Sequence, residues 1–322
     1  MSKPLLSIII PAFNAEEFIE STLDSCVENQ YEELYEIIVI NDGSIDGTDT
    51  IVEKYARTNK IIRYYVQNNK GQSAARNFGL EQCYGQYVWF VDSDDLVTNH
   101  TISYLIKTIQ QNCFDILMIH TITDKEEFVN RNVSEQNANK LVRNPILNDR
   151  IINVAPWASI FNKQFLIDNR LRFSNGIYHE DLEFSTKAYY KANIIYKTNR
   201  ICYVYRTNNC STTNSVNFKK NFDLIEVSKN LSEYAISNNI KSKSFYNYIG
   251  IGLNISLNNW KYMPKSLKEE YLNRLNDNIV IFHKMIKSSK LKYIIEGLIG
   301  SIRPSLVAYM YSFIGIKAKV AH

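Results

Sequence analysis

The hydrophobic and polar positions of the first hundred residues follow two alternating patterns. Short runs rich in β-branched and aromatic residues predict four buried strands, at 5–11, 36–40, 61–66 and 87–91. Between them, apolar residues recur at helical spacing and predict amphipathic helices, the first with an apolar stripe of Phe18, Leu23, Cys26 and Val27. Strands that alternate with helices form βαβ units. The pattern therefore predicts an α/β fold with a mostly parallel sheet flanked by helices.

Three of the predicted strands end in polar clusters, namely Ala12-Phe13-Asn14, Asn41-Asp42-Gly43-Ser44 and Asp92-Ser93-Asp94-Asp95. Ligands of parallel sheets bind beyond the carboxyl ends of the strands, so three such clusters together predict one binding site. Each cluster alone has a simpler interpretation. Asn14 could cap a helix, the second cluster could be a turn, and Asp94 or Asp95 could cap a helix that begins near Thr98.

The last of these clusters carries the candidate metal chemistry. If the strand continued through it, Asp92 and Asp94 would share one face and Ser93 would point to the other. Two carboxylates at a strand end suit Mn²⁺ or Mg²⁺, with the phosphates of a substrate completing the coordination.

The four segments together resemble the nucleotide-sugar half of a family-2 glycosyltransferase with the GT-A fold. The matching stretches, in chain order, are SIIIPAFNAEEFI, EIIVINDGSIDGT, NNKGQSAARNFGL and VWFVDSDD. They cover residues 5–97 and are far more specific than an Asp-x-Asp pair alone. The resemblance implies a Rossmann-like GT-A domain and an enzyme that takes a sugar from a nucleoside diphosphate, most simply UDP.

The resemblance also implies roles for individual residues on the donor side. Those that would hold the nucleoside are Pro11, Ala12, Phe13, Asn14, Glu16, Asp42 and Gly43. The carboxylate of Asp42 would accept the ring N–H of uracil, and Gly43 would permit close approach. Those that would flank the phosphates are Gly71, Ser73, Arg76, Asp92, Ser93 and Asp94, with the metal on Asp92 and Asp94. Arg76 would pair with a phosphate, or else is a surface charge on a helix.

The candidate catalytic base lies in the run His179-Glu180-Asp181, which precedes an amphipathic helix. Acidic residues in a first helical turn commonly serve as caps or dipole partners. The resemblance instead implies a base that takes the proton of the acceptor hydroxyl, and we assign it to Asp181 with Glu180 as the second choice. The resemblance also implies Arg206, with Ser211 and Thr212, over the donor diphosphate. Trp157 either lines the acceptor site or belongs to the core.

The α/β pattern gives way to helices at about residue 221, with helices predicted at 221–238, 242–258 and 265–287. We therefore predict a catalytic domain over 1–220, with a donor half at 1–97 and an acceptor half at 98–220, and a helical region at 221–322. Residues 123–150 are polar and predict an excursion over the cleft or a plain solvated insertion. The Q-x-x-R-W motif of processive relatives is absent, which favours addition of a single sugar.

Charge is distributed unevenly along the chain. The formal net charge is +4, yet residues 281–322 alone hold seven Lys and Arg and one Glu. The apolar segment 294–316 lies among these lysines and predicts a basic amphipathic tail on an anionic membrane surface, or a helix packed on the catalytic domain. Because basic residues are not interleaved along a sheet, no nucleic acid partner is expected.

The spacing of the cysteines bears on the cellular compartment of the protein. Five cysteines are scattered without a C-x-x-C pair, and no signal-like segment or apolar run of membrane-spanning length occurs. These features favour a cytoplasmic protein, peripheral on the cytoplasmic face of the membrane.

The sequence thus predicts an inverting, metal-dependent glycosyltransferase that adds one sugar to a glycan or lipid-linked acceptor in surface polysaccharide synthesis. One rival is a nucleotidyltransferase, which usually has a Gly-rich loop with Lys and Arg after the first strand, where this chain has Ala12-Phe13-Asn14-Ala15. A second rival is a non-catalytic glycan- or membrane-binding protein on a decayed fold. The presence of Asp92, Asp94 and Asp181 counts against it.

Overall fold

The computed structural model describes residues 3–124, 140–142, 144, 146, 152–207 and 217–313. Contacts group the chain into two compact units. The first comprises Met1–Asn144, Asn153–Gly176 and Lys191–Asn214, and the second Pro145–Ile152, Ile177–Tyr190 and Ser215–His322. Two short segments, 145–152 and 177–190, thus group with the C-terminal helices, while the division at residue 220 stays a prediction.

A mixed sheet forms the first unit. Its strands in the described residues are β1 (Leu6–Ala12), β2 (Tyr35–Asn41), β3 (Ile62–Val66), β4 (Tyr87–Phe90), β5 (Leu96–Val97), β6 (Ile116–Thr123), β7 (Lys140–Val142), β8 (Ser159–Asn162) and β9 (Ile195–Tyr205). They lie in the order β3-β2-β1-β4-β8-β6-β9-β5, with β7 paired to β9. The first four strands pair in parallel, as the βαβ pattern predicts. Antiparallel pairs join the sheet at β8, β5 and β7.

The helices of the first unit connect and cover these strands. They are α1 (Ile19–Cys26), α2 (Thr48–Thr58), α3 (Gln72–Gln82), α4 (Thr101–Gln111) and α5 (Lys163–Asp168). Because both faces of the parallel strands are covered, β1 and β2 are buried at every position. Their apolar runs therefore form the centre of the core and hold the strand ends firmly in place.

The second unit is helical. Its helices are α6 (Glu180–Lys191), α7 (Lys219–Ser237), α8 (Lys243–Leu257), α9 (Lys265–Asp277), α10 (Val280–Met285), α11 (Leu291–Ile302) and α12 (Pro304–Phe313). The helix predicted at 265–287 is two helices, α9 and α10. The apolar stretch at 294–316 is also divided, because Pro304 cannot continue α11 and instead begins α12. In the part of the chain that is described, each helix is too short or too polar to cross a bilayer.

Three local predictions are wrong. Asn14 does not cap α1, which begins at Ile19 after Phe18; Asn14 itself has a left-handed backbone with φ of 47°. The alternation of side chains through the acidic cluster also fails, because β4 ends at Phe90 and the following residues form a turn closed by Asp95 N–H to Asp92 C=O at 3.2 Å. The next helix, α4, begins at Thr101 with His100 at its cap position, so neither aspartate caps it.

Candidate active site

The three polar strand ends lie on one edge of the sheet. β2, β1 and β4 are neighbours and run in parallel, with Ala12 opposite Asn41 and Ile9 opposite Phe90. The backbone N–H of Asp42 also donates to Ala12 C=O at 2.8 Å, which extends this alignment beyond the strands. The expectation that the clusters share one edge is therefore confirmed.

The loops after β1 and β2 are joined to each other by hydrogen bonds. The N–H of Asn14 donates to the Ser44 hydroxyl at 3.0 Å, and the N–H of Ile45 donates back to the Asn14 side-chain oxygen at 3.0 Å. Just beyond, the N–H of Ala15 donates to the Thr48 hydroxyl at 2.8 Å. The side chain of Asn14 therefore holds two loops together instead of capping a helix.

Glu16 continues the same connection, since its carboxylate accepts from Gly47 N–H at 2.5 Å and its own N–H donates to Asp46 at 3.1 Å. Phe13 stands at the start of this paired loop with 47% of its side chain exposed. Pro11 and Ala12 are buried within β1, so they offer a wall and a backbone instead of side-chain chemistry. One exposed aromatic face beside fixed loops suits the stacking of a nucleobase.

Asp42 organises the segment before α3. One carboxylate oxygen accepts from the Gln67 amide at 2.7 Å and the Lys70 N–H at 2.8 Å, and the other accepts from Gly71 N–H at 2.7 Å. A carboxylate offers about four lone-pair positions, so these three bonds leave room for one more donor. Gly43 has φ of 76°, and a Cβ there would lie 2.9 Å from Asn69 N. This close approach explains why a glycine occupies the position.

Arg76 lies one turn into α3 and is buried, with 3% exposed. Its guanidinium donates to the Asp92 carboxylate at 2.8 Å and stacks over Phe173 with 5.3 Å to the ring centroid. The interpretation of Arg76 as a surface charge is therefore wrong. Ser73 is also buried, in the first turn of the helix, after Gly71 with φ of 86°.

The turn at residues 92–95, here called the acid turn, rests on a buried carboxylate. Asp95 is fully buried and accepts from the Tyr203 hydroxyl at 2.6 Å and the Arg206 N–H at 2.8 Å. The same hydroxyl accepts from Asp92 N–H at 3.1 Å. Burial, and next the charge of Asp92, raise the pKa of Asp95. A cation at this turn would relieve that repulsion.

Arg206 fastens the acid turn to α1. Its guanidinium donates to Asp94 C=O, and it also reaches the hydroxyls of Ser21 at 2.8 Å and Thr22 at 3.0 Å. The Thr22 hydroxyl in turn donates to Ser93 C=O at 2.9 Å. Arg206 therefore links the acid turn to α1, a structural role that the sequence did not predict. Its role over a diphosphate stays a prediction, and Ser211 and Thr212 lie outside the described residues.

Trp157 packs under the same turn. Its ring stacks on Tyr203 with 4.8 Å between centroids and an interplanar angle of 2°, and its backbone C=O accepts from the Trp89 indole N–H at 2.8 Å. Within the first unit, Trp157 is therefore a half-buried support for Tyr203.

Glu180 and Asp181 open α6 and belong to the second unit. Glu180 is 1% exposed, whereas Asp181 is partly exposed and its carboxylate accepts its neighbour's N–H, from Leu182, at 2.8 Å. Before them, His179 has φ of 62°, and burial lowers the pKa of its imidazole. Of the two carboxylates, Asp181 is the one that a substrate can reach directly.

Sequence reasoning missed Tyr203 and Thr22, which hold the acid turn from β9 and α1. Neither residue lies in a recognisable motif, and Tyr203 is 108 positions away from Asp95. Tyr203 stands in the continuous apolar run of residues 201–205 at the end of β9, which is the one signal that the sequence offers. The polar segment at 123–150 lies largely outside the described residues.

Comparison with known proteins finds a matching family model and related glycosyltransferases. A family model described as glycosyl transferase family 2 matches residues 7–170. Glycosyltransferase EpsJ of Bacillus subtilis (strain 168) is 30% identical over 221 residues, which are 65% of this chain and 63% of EpsJ. Poly(ribitol-phosphate) beta-N-acetylglucosaminyltransferase TarS of Staphylococcus aureus is 31% identical over 204 residues, 62% of this chain and 35% of TarS. The chain thus spans less than two thirds of the length of these relatives.

The fold is also found among solved structures. S. aureus TarS 1-349, crystallised in complex with UDP-GlcNAc, superposes with a TM-score of 0.75 at 20% identity, over 96% of this chain and 90% of that one. The superposition confirms the predicted GT-A fold with its helical C-terminal region.

Proposed function

The chain belongs to glycosyl transferase family 2, and from that premise we propose that it is an inverting, metal-dependent glycosyltransferase. It moves a single sugar from a UDP-sugar to a hydroxyl of its acceptor. The observation that carries the proposal is the meeting of three strand ends on one edge, where fixed loops adjoin an acid turn backed by Arg76. Such a site offers a nucleoside cradle and a cation site side by side.

The nucleoside half of the site is supported by contacts. Phe13 offers an exposed ring, Asp42 retains an acceptor position, and Gly43 allows the base to come close. UDP is our choice of nucleotide because the structural relative TarS was crystallised with UDP and with UDP-GlcNAc. Gly71 and Ser73 stand at the amino end of α3, where backbone N–H groups favour a phosphate.

The residues of the acid turn fit a divalent cation in one particular mode. Among the described residues, no three His, Cys, Asp or Glu are grouped to hold a metal alone. Mg²⁺ and Mn²⁺ at nucleotide sites commonly take one or two carboxylates and complete their shell with phosphates. Asp94 and Asp92 are partly exposed and would hold the ion, although Asp92 shares its carboxylate with Arg76. A bound cation would neutralise charge on the leaving diphosphate.

We assign the base to Asp181. An inverting transfer needs one base that takes the proton of the acceptor hydroxyl as its oxygen attacks the anomeric carbon, and no covalent enzyme intermediate. Asp181 is accessible, whereas Glu180 is buried and is better suited to positioning. The direct displacement leaves UDP as the product and turns the configuration of the transferred sugar over.

The acceptor that we propose is a glycan or lipid-linked hydroxyl in the assembly of a cell-surface polymer. TarS, by its name, acts on poly(ribitol-phosphate). We propose a cytoplasmic enzyme that is peripheral at the inner face of the membrane, where the basic C-terminal region supports contact with anionic lipid.

The experiment must also distinguish two alternative functions. A nucleotidyltransferase would form a sugar nucleotide from a sugar phosphate and a nucleoside triphosphate. A non-catalytic protein would bind glycan or membrane without turnover.

The deciding experiment is calorimetric titration of UDP with and without Mn²⁺, on the wild type, on Asp94→Ala and, as a control, on Asp277→Ala at an exposed position of α9. We expect Mn²⁺ to strengthen UDP binding at least about tenfold and Asp94→Ala alone to abolish that gain. UDP-sugar hydrolysis and transfer are then assayed with Asp181→Asn. Failure of UDP, GDP and other nucleotides to bind would reject the proposal in favour of the non-catalytic protein. Turnover of a nucleoside triphosphate would favour the nucleotidyltransferase.

A further inference from the structure

Helix α11 turns its large apolar side chains outward. Leu291, Ile295, Leu298 and Ile302 are 70%, 44%, 51% and 85% exposed. Their spacing of four, three and four residues places them along one stripe of the helix. A helix on the surface of a soluble protein ordinarily shows polar residues there, so this stripe needs an explanation.

The buried side of the same helix consists of one carboxylate and two glycines, namely Glu296, Gly297 and Gly300. Glu296 is 3% exposed and accepts from the Asn254 amide at 2.7 Å and the Tyr311 hydroxyl at 3.0 Å. Beside it, Gly300 packs so closely that a Cβ would lie 2.0 Å from the ring of Phe282. Rotation of α11 to bury the apolar stripe would drive large side chains into this space and remove the partners of the carboxylate. The outward orientation is therefore fixed by packing.

Helix α12 follows α11 directly and also exposes apolar side chains, since Leu306 is 44% and Tyr309 is 51% exposed. Basic residues flank these apolar positions along the chain, and the exposed ones are Lys287, Lys290, Lys292 and Arg303. Glu296 is the one acidic residue of the stretch 281–313, and it is buried. This stretch consequently presents apolar side chains bordered by positive charge, here called the α11–α12 face.

We propose that the α11–α12 face docks on an anionic lipid bilayer, with its apolar stripe at the boundary between headgroups and acyl chains. Apolar residues with a basic border are what an interfacial helix requires, and the charge complements phosphate headgroups. The helices have 12 and 10 residues, so they lie on the surface and do not span it. A second copy of the chain fits this face less well than a bilayer does. Symmetric pairing of two copies would bring their basic borders together, and like charges repel.

The inference deepens the proposed peripheral location and rests on it for its biological sense. Lipid binding needs neither donor nor acceptor, so it can be tested independently of sugar transfer. A protein that binds vesicles but fails to bind UDP, GDP and the other nucleotides would refute the proposed enzyme and leave the docking face standing.

The experiment is co-sedimentation of the full chain with vesicles of phosphatidylcholine alone and of phosphatidylcholine mixed with phosphatidylglycerol. We expect binding to the anionic vesicles and its weakening as salt rises. The double variant Leu298→Glu with Ile302→Glu should reduce the partition coefficient at least about tenfold. Reversal of charge at Lys290 and Arg303 should also reduce it at least about tenfold.

Matched variants of the second unit serve as controls. Ile236 is 53% exposed on α7, and Ile236→Glu should bind vesicles as the wild type does. Lys241→Glu with Lys265→Glu removes the same charge from exposed positions elsewhere. Equal binding by the Leu298 and Ile302 variant, or no binding by the wild type, would overturn the proposal. A concentration-dependent dimer in light scattering that Leu298→Glu dissolves would assign the face to a second copy instead.

Discussion

The guanidinium of Arg76 donates to the carboxylate of Asp92 at 2.8 Å, with Arg76 buried and Asp92 partly open. A residue expected to meet a phosphate thus holds a candidate metal ligand. The positive guanidinium of Arg76 fixes the direction of the Asp92 carboxylate. It also reduces the negative charge around a metal ion that would bind there. The two roles are separable by mutation, because one concerns stability and the other the metal dependence of donor binding.

Replacing Arg76 by Ala should lower the free energy of unfolding by about 2–4 kcal/mol, because it leaves a cavity and an unpaired carboxylate. Arg76→Lys should retain part of the stability, since the charge remains while the planar fork is lost. Chemical denaturation and UDP titration with Mn²⁺ measure both effects. Arg57→Ala is the control, since its pair with Glu53 is exposed and should contribute less than about 1 kcal/mol. Equal losses in both proteins would contradict the buried pairing.

Tyr203→Phe should loosen the acid turn. The change keeps the ring stacked on Trp157 but removes the hydroxyl that donates to Asp95 and accepts from Asp92 N–H. We expect a loss of about 1–3 kcal/mol in unfolding free energy and a weaker effect of Mn²⁺ on UDP binding. Tyr196→Phe, in the same strand, is the matched control. A Tyr203→Phe protein with unchanged metal dependence would show that the turn keeps its shape without the hydroxyl.

Asp181→Asn should reduce kcat about 10²–10⁴-fold while donor affinity stays the same, because it removes the base and no donor contact. Stability should change little, since the side chain is partly exposed. Glu180→Gln lies at a buried position and should act more on stability than on kcat. Single-turnover rates and thermal midpoints of the two proteins separate these effects. If Glu180→Gln carries the larger loss of kcat, the base is Glu180.

Gly43→Ala should damage nucleotide binding more than Gly176→Ala. Both residues have positive φ, 76° and 75°, so both substitutions carry a similar backbone cost of about 1 kcal/mol. Only at Gly43 would the new Cβ also lie 2.9 Å from a backbone atom, while nothing lies within 4 Å at Gly176. UDP affinity and unfolding free energy should both fall further for Gly43→Ala. Indistinguishable proteins would mean that the loop adjusts without cost.

Glu296→Gln should alter the pH dependence of stability. Burial raises the pKa of Glu296 despite the hydrogen bond from Asn254 and the nearby Lys292. Folding therefore favours the protonated form, whose contribution is complete below the ordinary pKa of 4.5 and is lost as pH rises through the folded pKa. The glutamine stays neutral, so its stability relative to the wild type should grow with pH above 4.5. Denaturation of both proteins across that range is the measurement, and parallel curves would refute the burial effect.

The shared edge of the three polar strand ends could be predicted because each cluster directly follows its own strand. Asp42 follows β2 directly, and parallel pairing alone brings it beside the end of β1. The pairing of Arg76 with Asp92 could not be predicted, because a local sequence pattern does not reveal a partner 16 residues away. The end of β4 could not be predicted for a similar reason, since its pairing with β1 and β8 stops before the acid turn. The contact of Tyr203 with Asp95 could not be predicted, because it depends on the pairing of β5 with β9 and joins residues 108 positions apart.

The hydrogen bonds that join Asn14 to Ser44 and Ile45 connect the loops after β1 and β2 directly to each other. Because the two loops are already joined, we expect no loop rearrangement before a nucleoside binds. Association should then occur in one step whose observed rate increases linearly with nucleotide concentration. A rate constant of about 10⁵–10⁷ M⁻¹s⁻¹ is the ordinary range for such an encounter. Differences among nucleotides would then appear in how long each stays bound, and residence time becomes the natural measure of donor choice.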